Sequence, residues 1–213
     1  MSGISKLERV TVATSGVASD VPLQGTLTDP VAANFSTWFN QGTSSLVDHT
    51  GAISLVTPGA GAGANMHGVA QTAPATPWTV TARVLPQSLS KNFHSAGVFV
   101  GDNSSGRMLT LTLDAAGDYQ PAEFTTGTSF NGFTGNAAAV QYGWFWVRIQ
   151  DTGSLITFDI SMSGLASTWL ELYSASRTSW LSTPDRVGIC AQDQNSATPN
   201  FGVVLTCQSW TVT

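Results

Sequence analysis

Few residues in this 213-residue chain have the types and spacings that chemistry needs. It has three glutamates, Glu8, Glu123 and Glu171, and none has a second carboxylate two or four residues away. Glycosidases place two carboxylates on either side of one bond, and two on the same face of one strand would be spaced by two or four. We therefore expect no glycosidase activity and, more broadly, no enzyme.

Nucleophilic and metal-dependent chemistry is equally poorly represented. No serine stands in a Gly-x-Ser-x-Gly context, and the three histidines, His49, His67 and His94, lie far apart in the sequence. Neither Cys190 nor Cys207 has a close cysteine or histidine partner of the kind that a zinc site uses. We expect no catalytic residue, no metal centre and no cofactor, and we expect both cysteines to be free thiols because nothing indicates an oxidising compartment.

One short segment could offer oxygen ligands to calcium. Asp102 and Asn103 begin the run Asp-Asn-Ser-Ser-Gly, and hard cations bind carboxylate and carbonyl oxygens. The same run is also a favourable turn sequence, and one carboxylate supplies little charge for a calcium site. Asp102 and Asn103 are therefore a weak calcium candidate, with a turn as the alternative.

A row of large side chains near the middle of the chain is a candidate ligand-binding surface. Trp144, Trp146 and Arg148 alternate with apolar Phe145 and Val147, so that the two sets point to opposite faces of a strand. If the apolar set faces the core, the first set faces outward and could stack on a sugar or pack against a partner protein. A loop that covers the two tryptophans is the structural alternative.

The elements that must position these residues read as β-strands throughout. Runs rich in Val, Ile, Thr, Phe and Trp alternate between apolar and polar and are separated by turn residues, whereas helical periodicity is missing. A hairpin is predicted from Trp144 to Met162, with Asp151 opposite Ser154 and therefore Val147 opposite Phe158. The other predicted strands are Leu7–Ala13, Ala52–Val56, Trp78–Val84, Ala96–Gly101, Met108–Asp114, Trp169–Tyr173, Arg186–Ala191 and Gly202–Val212, the last with a bulge near Gln208 and Ser209.

Composition narrows the possible partners. Only 10% of the residues are charged, the net charge is −5, and the eight basic residues are scattered rather than clustered. A nucleic-acid surface needs grouped cations, so we expect no nucleic-acid binding. No apolar run is long enough to span a membrane and no signal peptide is evident, which predicts synthesis in a cytoplasm and no membrane insertion. Weakly charged surfaces are typical of chains that pack against copies or partners.

The order of several motifs resembles the concanavalin A-like lectin/glucanase sandwich, and more narrowly the small bacteriophage tail or virion proteins that have this fold. These motifs are Trp78-Thr-Val-Thr-Ala, Ser95-Ala-Gly-Val-Phe-Val-Gly-Asp102, Trp146-Val-Arg-Ile-Gln-Asp-Thr-Gly153, Ile160-Ser-Met-Ser-Gly164, Val187-Gly-Ile189 and a last strand with Trp210. The resemblance implies an all-β, two-sheet antiparallel jelly roll over residues 35–213. Residues 1–34, which Gly25 and Pro30 interrupt, are predicted to form an arm that docks on partners.

The resemblance also implies a function and a location. We expect a non-enzymatic structural protein of a phage virion, tail-associated, whose sandwich binds a receptor, a glycan on the host surface or a neighbouring tail protein. The alternative is a capsid decoration protein that stabilises the phage head. Either role implies other virion proteins as partners, a homo-oligomeric state, and assembly in the host bacterial cytoplasm before incorporation into the particle.

Overall fold

The protein consists of two antiparallel β-sheets packed face to face, as seen in a computed structural model that describes residues 27–59, 63–90, 93–140, 142–194 and 202–213. A short 3₁₀ helix, Ala32–Asn34, precedes the strands. No helix in the described ranges is long and apolar enough to cross a membrane. The predicted all-β, two-sheet sandwich is confirmed.

Sheet A and sheet B each draw strands from along the whole described chain. Sheet A has the order β1-β4-β14-β6-β7-β8-β10, with β9 paired to β8. Its strands are β1 (Thr37–Phe39), β4 (Met66–Thr72), β6 (His94–Asp102), β7 (Arg107–Asp114), β8 (Asp118–Thr126), β9 (Ser129–Phe133), β10 (Ala138–Ala139) and β14 (Arg186–Asp193). Sheet B has the order β13-β12-β11-β5-β15-β3-β2. Its strands are β2 (Ser45–His49), β3 (Ala52–Val56), β5 (Trp78–Gln87), β11 (Phe145–Asp151), β12 (Leu155–Ser161), β13 (Leu170–Ser176) and β15 (Val204–Val212).

Alternation in the sequence places the core between the two sheets. In β5, Trp78, Val80, Ala82 and Val84 are buried in the main core and the residues between them are more exposed. In β7, Leu109, Leu111 and Leu113 face the same core. These inward faces are as predicted, since successive residues of a strand point to opposite sides.

The two longest strands of sheet A that were not predicted, β4 and β8, do not alternate regularly between apolar and polar residues. β4, Met66–Thr72, is buried over its first five residues, so neither face has a polar row. β8 contains Pro121, which normally argues against a strand inside a sheet. Here the Pro121 carbonyl oxygen accepts from the Thr134 amide at 3.0 Å. The hydrogen-bonding edge of Pro121 therefore faces away from β7, where its missing N–H does not interrupt that ladder.

The predicted Trp144–Met162 hairpin forms inside sheet B, but its pairing differs from the prediction by two residues. Val147 lies opposite Ile160 rather than Phe158. The cause is a longer turn, in which the Asp151 carboxylate accepts from the Gly153 amide and the Thr152 hydroxyl accepts from the Leu155 amide. Because a shift of two preserves which side each residue faces, the inward row is unchanged.

The last strand has the predicted bulge, and the N-terminal part of the described chain is attached there. The pairing of β15 with β5 shifts between Cys207 and Ser209. Thr28 bonds to this point, donating its amide to Ser209 Oγ at 2.9 Å and accepting from the Trp210 amide at 2.9 Å. Residues 1–26 of the predicted arm, including the predicted strand Leu7–Ala13, lie outside the described residues.

The two cysteines are free thiols, as predicted, and they lie in different layers. Cys207 belongs to the core between the sheets, whereas Cys190 belongs to a second apolar cluster on the other face of sheet A. Burial raises the pKa of Cys207 to about 12 and raises that of Cys190 as well. Both behave as small apolar side chains.

Candidate functional site

The face of sheet A that points away from sheet B changes character along its strands. Leu111 and Leu113 are in the main core, so Thr112 between them points outward. Thr112 lies opposite Gly97 of β6 and Gln120 of β8. At the other end of the strands the outward residues form a buried apolar cluster of Phe39, Met66, Ala70, Phe99, Met108, Ala122, Phe124 and Cys190.

The β8–β9 hairpin covers the apolar half of this face. Its Phe130 ring packs edge-on against Phe124, with 5.4 Å between centroids. Its tip reaches β4, where the Met66 amide donates to the Gly127 carbonyl oxygen at 2.7 Å. A side chain at Gly127 would overlap Asn40 and the Met66 carbonyl, so glycine permits this close approach. The hairpin leaves the polar half of the face open.

The open half is a groove of about 450 Å³, which we call the Phe groove. Three phenylalanine rings stand on its walls with much of their surface in solvent, Phe93 and Phe133 at 61% and Phe130 at 42% exposure. The uncharged polar side chains that line it are Ser95, Thr112, Gln120, Gln192 and Gln194. Exposed aromatic rings above neutral hydrogen-bonding groups form a surface suited to an amphipathic ligand.

The backbone at Phe93 is unusual for so large a residue. Its φ is +66°, in the left-handed region that disfavours residues with a Cβ and is rare for bulky side chains. Because the Phe93 ring is largely exposed, the free energy of burying an apolar side chain does not offset the cost of this backbone conformation. Strained residues of this kind concentrate at ligand-binding positions.

Within the described part of the chain, Asp114 is the only carboxylate that lines the Phe groove, and it lies at the rim. Asp114 Oδ1 accepts from the amides of Ala116 and Asp118, at 2.8 and 3.0 Å. This carboxylate therefore fixes the turn between β7 and β8. No lysine, arginine or histidine is among the described residues that line the groove.

A second cavity, of about 480 Å³, brings together two residues that the sequence analysis treated as isolated. Glu123 of β8 and Glu171 of β13 both line it, at the edge where the two sheets meet. Glu123 Oε2 accepts from the Asn131 side-chain amide at 2.9 Å, and Glu171 is exposed. Burial raises the pKa of Tyr173 in the same cavity, and Glu123 raises it further, against a hydrogen bond with Ser179.

Folding also brings His67 next to Asp193. The two side chains are 3.5 Å apart and buried. Asp193 accepts from the Asn65 side chain at 2.6 Å and from the Gly59 amide at 2.7 Å, while His67 Nδ1 lies 2.6 Å from the Asn40 carbonyl oxygen. Burial alone would raise the pKa of Asp193, but hydrogen bonds from His67, from the Asn65 side chain and from the Gly59 amide lower it. The pair ties the chain around residue 59 to sheet A.

The predicted ligand-binding row lies on the outer face of sheet B, where a loop covers it in part. Trp146 is only 4% exposed, and a Cβ placed on Gly164 would lie 2.8 Å from its ring. Gly164 ends a turn that begins at Ser161, whose Oγ accepts from the Ser163 and Gly164 amides. The structure thus shows the covering-loop alternative at Trp146, and the expected accessible ring is corrected to a buried one.

The other two members of that row have partners within the chain. Trp144 is half-buried, with the Arg83 guanidinium 4.9 Å above its ring. Arg148 bonds Asp159 at 3.0 Å and lies 4.6 Å above the ring of Trp169. Arg148 and Asp159 are directly opposite each other on β11 and β12, which places the two side chains on the same face of sheet B.

The calcium candidate is a turn stabilised by its own carboxylate. Asp102 Oδ1 accepts from the amides of Ser104 and Ser105 and from the Ser104 hydroxyl, and Oδ2 accepts from the Thr183 amide at 3.0 Å. Burial would raise the pKa of Asp102, but these bonds lower it to about 2. Asn103 is exposed, and its backbone amide donates to the Asp185 carboxylate. The oxygens of Asp102 are thus engaged by donors, as the turn alternative requires.

Asp102→Asn is expected to weaken the fold near neutral pH and to flatten its response to acid. Because the pKa of Asp102 is below its ordinary 3.8, the stabilisation is present above about pH 4 and is lost as the pH falls through about 2. The amide is a poorer acceptor, so we expect a loss of about 1–3 kcal/mol at pH 7. Urea unfolding at pH 7, 4 and 2.5 measures both effects. Asp48→Asn, at an exposed position, is the control; an unchanged acid response in Asp102→Asn would contradict the assignment.

The Phe groove was not identified from the sequence, although one signal for it exists. Phe130 and Phe133 stand in a run of Thr, Gly, Ser and Asn from 125 to 136, a composition typical of turns. Aromatic residues in such a segment have little core to join, so they are candidates for exposure. Which groups they would face depends on pairings between distant strands, and local patterns do not determine those.

Comparisons with known proteins address the fold. No family model matches the chain, and no curated protein does. Among solved structures, a functionally unknown protein from Saccharomyces cerevisiae matches with a TM-score of 0.58 at 16% identity, covering 86% of this chain and 98% of that one. The carbohydrate-binding module CBM66 from Bacillus subtilis matches with a TM-score of 0.55 at 12% identity, covering 84% and 96%.

An enzyme is also among the matches. The GH43 protein BlXynB from Bacillus licheniformis matches with a TM-score of 0.61 at 15% identity, over 87% of this chain and 37% of that one. The chain therefore corresponds to 37% of the length of that protein. At such identities, similarity speaks for architecture alone. The chain has the lectin-like, two-sheet β-sandwich fold that the concanavalin A-like resemblance predicts.

Proposed function

We propose that this chain is a non-enzymatic binding protein that holds a glycan in the Phe groove. The observation that carries the proposal is the set of three exposed phenylalanine rings around a floor of uncharged hydrogen-bonding side chains. The fold of a carbohydrate-binding module, CBM66, covers most of both chains and supports the same class of ligand.

The groove matches the two-sided chemistry of a sugar ring. One face of a sugar carries C–H groups that pack on an aromatic ring, while its edge carries hydroxyls that need donors and acceptors. Phe93 and Phe133 offer rings on the walls, and the carboxamides of Gln120 and Gln192 offer both donors and acceptors. A volume of about 450 Å³ is in the range of small-ligand sites.

Substitution of the wall residues tests the proposal. Phe93→Ala and Phe133→Ala are each expected to weaken retention of a glycan ligand by about five- to tenfold, since a stacked ring contributes about 1 kcal/mol or more. The melting temperature should change little because both rings are exposed. The measurement is binding to an array of oligosaccharides, followed by titration calorimetry with the best ligand.

The control for these variants is Leu155→Ala, which removes an exposed apolar side chain on sheet B. It should bind like the unmodified chain. Equal retention by all three variants and the unmodified chain would place the glycan elsewhere, and absence of retention on any glycan would refute the proposed function.

Glutamates in the second cavity provide a test of the non-enzymatic part of the proposal. We expect no release of reducing ends from polysaccharides, and Glu123→Gln and Glu171→Gln should leave that baseline unchanged. The acid of a glycosidase is shielded from water, whereas Glu171 is exposed and Glu123 is bonded to Asn131. Turnover by the unmodified chain that either substitution abolishes would establish catalysis in this cavity.

The virion location implied by the sequence resemblance is retained as part of the proposal. A glycan-binding groove suits a tail-associated protein that contacts a host surface better than it suits a capsid decoration protein, which needs extended contact with the shell. The partners would then be virion proteins, with this chain as a symmetric oligomer. Mass spectrometry of purified particles separates the roles, because tail proteins are present in few copies and decoration proteins scale with the major capsid protein.

A further inference from the structure

We infer that the Phe groove selects uncharged glycans, an inference that rests on the proposed function. It follows from where the charges of this chain lie. A glycan that carries uronate, sialate or sulfate groups needs cationic partners to replace lost water. The described residues that line the groove offer none.

The arginines in the described ranges are all committed elsewhere. Each one is bonded to an acceptor of this chain, and three also lie over tryptophan rings. The pairs are Arg83 with Gln208, Arg107 with the Trp180 carbonyl oxygen, Arg148 with Asp159, Arg177 with Asp151, and Arg186 with Asp185. None of these arginines lines the groove, so none stands ready to neutralise a bound anion.

Among the described residues that line the groove, the one charged side chain is a carboxylate. The Asp114 carboxylate lies at the rim, where Oδ1 is held by two backbone amides, and it offers a ligand carboxylate or sulfate no compensation for lost water. An amino sugar gains little from Asp114, because the oxygen that the structure shows bonded already serves the turn and a rim carboxylate in water attracts weakly. The rest of the groove surface consists of carboxamide, hydroxyl and aromatic groups. An uncharged sugar can bind to it without removing the water from an ionic group.

One lysine near the groove in sequence enters the experiment. Lys91 stands two residues before Phe93 and lies outside the described residues. If uncharged glycans are the ligands, Lys91→Ala should leave their affinity within about twofold. Gln120→Lys places a cation on the groove floor and should raise the affinity for uronate-containing glycans by about tenfold, the size of one partly desolvated charge interaction.

The test uses the full chain against four groups of oligosaccharides: uncharged, uronate-containing, sulfated, and amine-containing. We expect retention of an uncharged member, at least tenfold weaker retention of its acidic counterparts, and less than a twofold change in the uncharged affinity between 50 and 500 mM NaCl, because binding without ion pairs is insensitive to screening.

The outcomes separate this inference from the proposed function. Retention of acidic or amine-containing glycans as tight as that of uncharged ones, lost in Phe133→Ala and weakened by salt, would overturn the selectivity while leaving the glycan site in place. Polyanion binding that Lys91→Ala abolishes would overturn it in the same way. Absence of retention in all four groups would instead remove the proposed function on which the inference rests.

Discussion

Val147→Asp is expected to unfold the protein. Val147 is 1% exposed and lies in the main core, with Ala82 and Ile160 opposite it on the two neighbouring strands. A carboxylate there has no cation to pair with and loses its water, and the apolar contacts are lost as well. We expect a cost of at least about 4 kcal/mol, a large part of the 5–15 kcal/mol by which domains are usually stable. Circular dichroism and urea unfolding measure it.

The matched control is the same substitution on an exposed edge. Val47 lies on β2, the outermost strand of sheet B, and is 39% exposed. Val47→Asp should change the free energy of unfolding by less than about 1 kcal/mol. Near-native stability of Val147→Asp would show that the Val147 side chain does not lie between the sheets.

Gly97→Ala is expected to have the second-largest effect, although it adds a single methyl group. A Cβ on Gly97 would lie 2.0 Å from the Leu111 carbonyl oxygen and 2.9 Å from the Thr112 Cα. Both obstacles are backbone of the neighbouring strand β7, so no side-chain rotation can relieve them. We expect a loss of about 3 kcal/mol or more, since strands β6 and β7 in the middle of sheet A must separate. Thermal unfolding monitored by tryptophan fluorescence reports the loss.

Gly132→Ala provides the comparison, because nothing lies within 4 Å of a Cβ built at that strand position. It should be neutral or slightly stabilising, as the unfolded chain loses conformational freedom. Equal effects of the two substitutions would mean that the close approach of β7 to Gly97 is not rigid.

The sequence predicted strands and their inward faces where apolar and polar residues alternate, because the apolar set then faces the core. Residue types alternate in this way in β5, β7 and most of β11, and the inward residues of these strands were predicted correctly. β4 is buried on both faces over its first five residues, and β8 includes Pro121. Neither sequence therefore shows a regular alternation of apolar and polar residues. The predicted hairpin register differed by two residues because the turn is longer than the two-residue turn that was predicted. The Asp151 and Thr152 side chains stabilise it by accepting hydrogen bonds from backbone amides.

The candidate site was harder to predict, because it is assembled across strands that are distant in sequence. Gln192 of β14 lies opposite Ser95 of β6, and Thr112 of β7 opposite Gln120 of β8. No local pattern connects these positions. The tryptophans of the predicted row attracted attention by size and spacing, but the turn at Ser161–Gly164 packs over Trp146. Whether a ring on a sheet face is exposed depends on such coverings.

The β8–β9 hairpin covers half of the outer face of sheet A, and it carries wall residues of the Phe groove that do not belong to the main core. Of the three exposed phenylalanines of the Phe groove, Phe130 and Phe133 belong to this hairpin and Phe93 to the connection before β6. The main core is formed by other residues of the two sheets. Mutations at the walls should therefore cost little in folding, and under the proposed function they would change which glycan is bound. If the groove binds surface sugars as proposed, a lineage that meets changing sugars can diversify these positions while its sandwich stays the same.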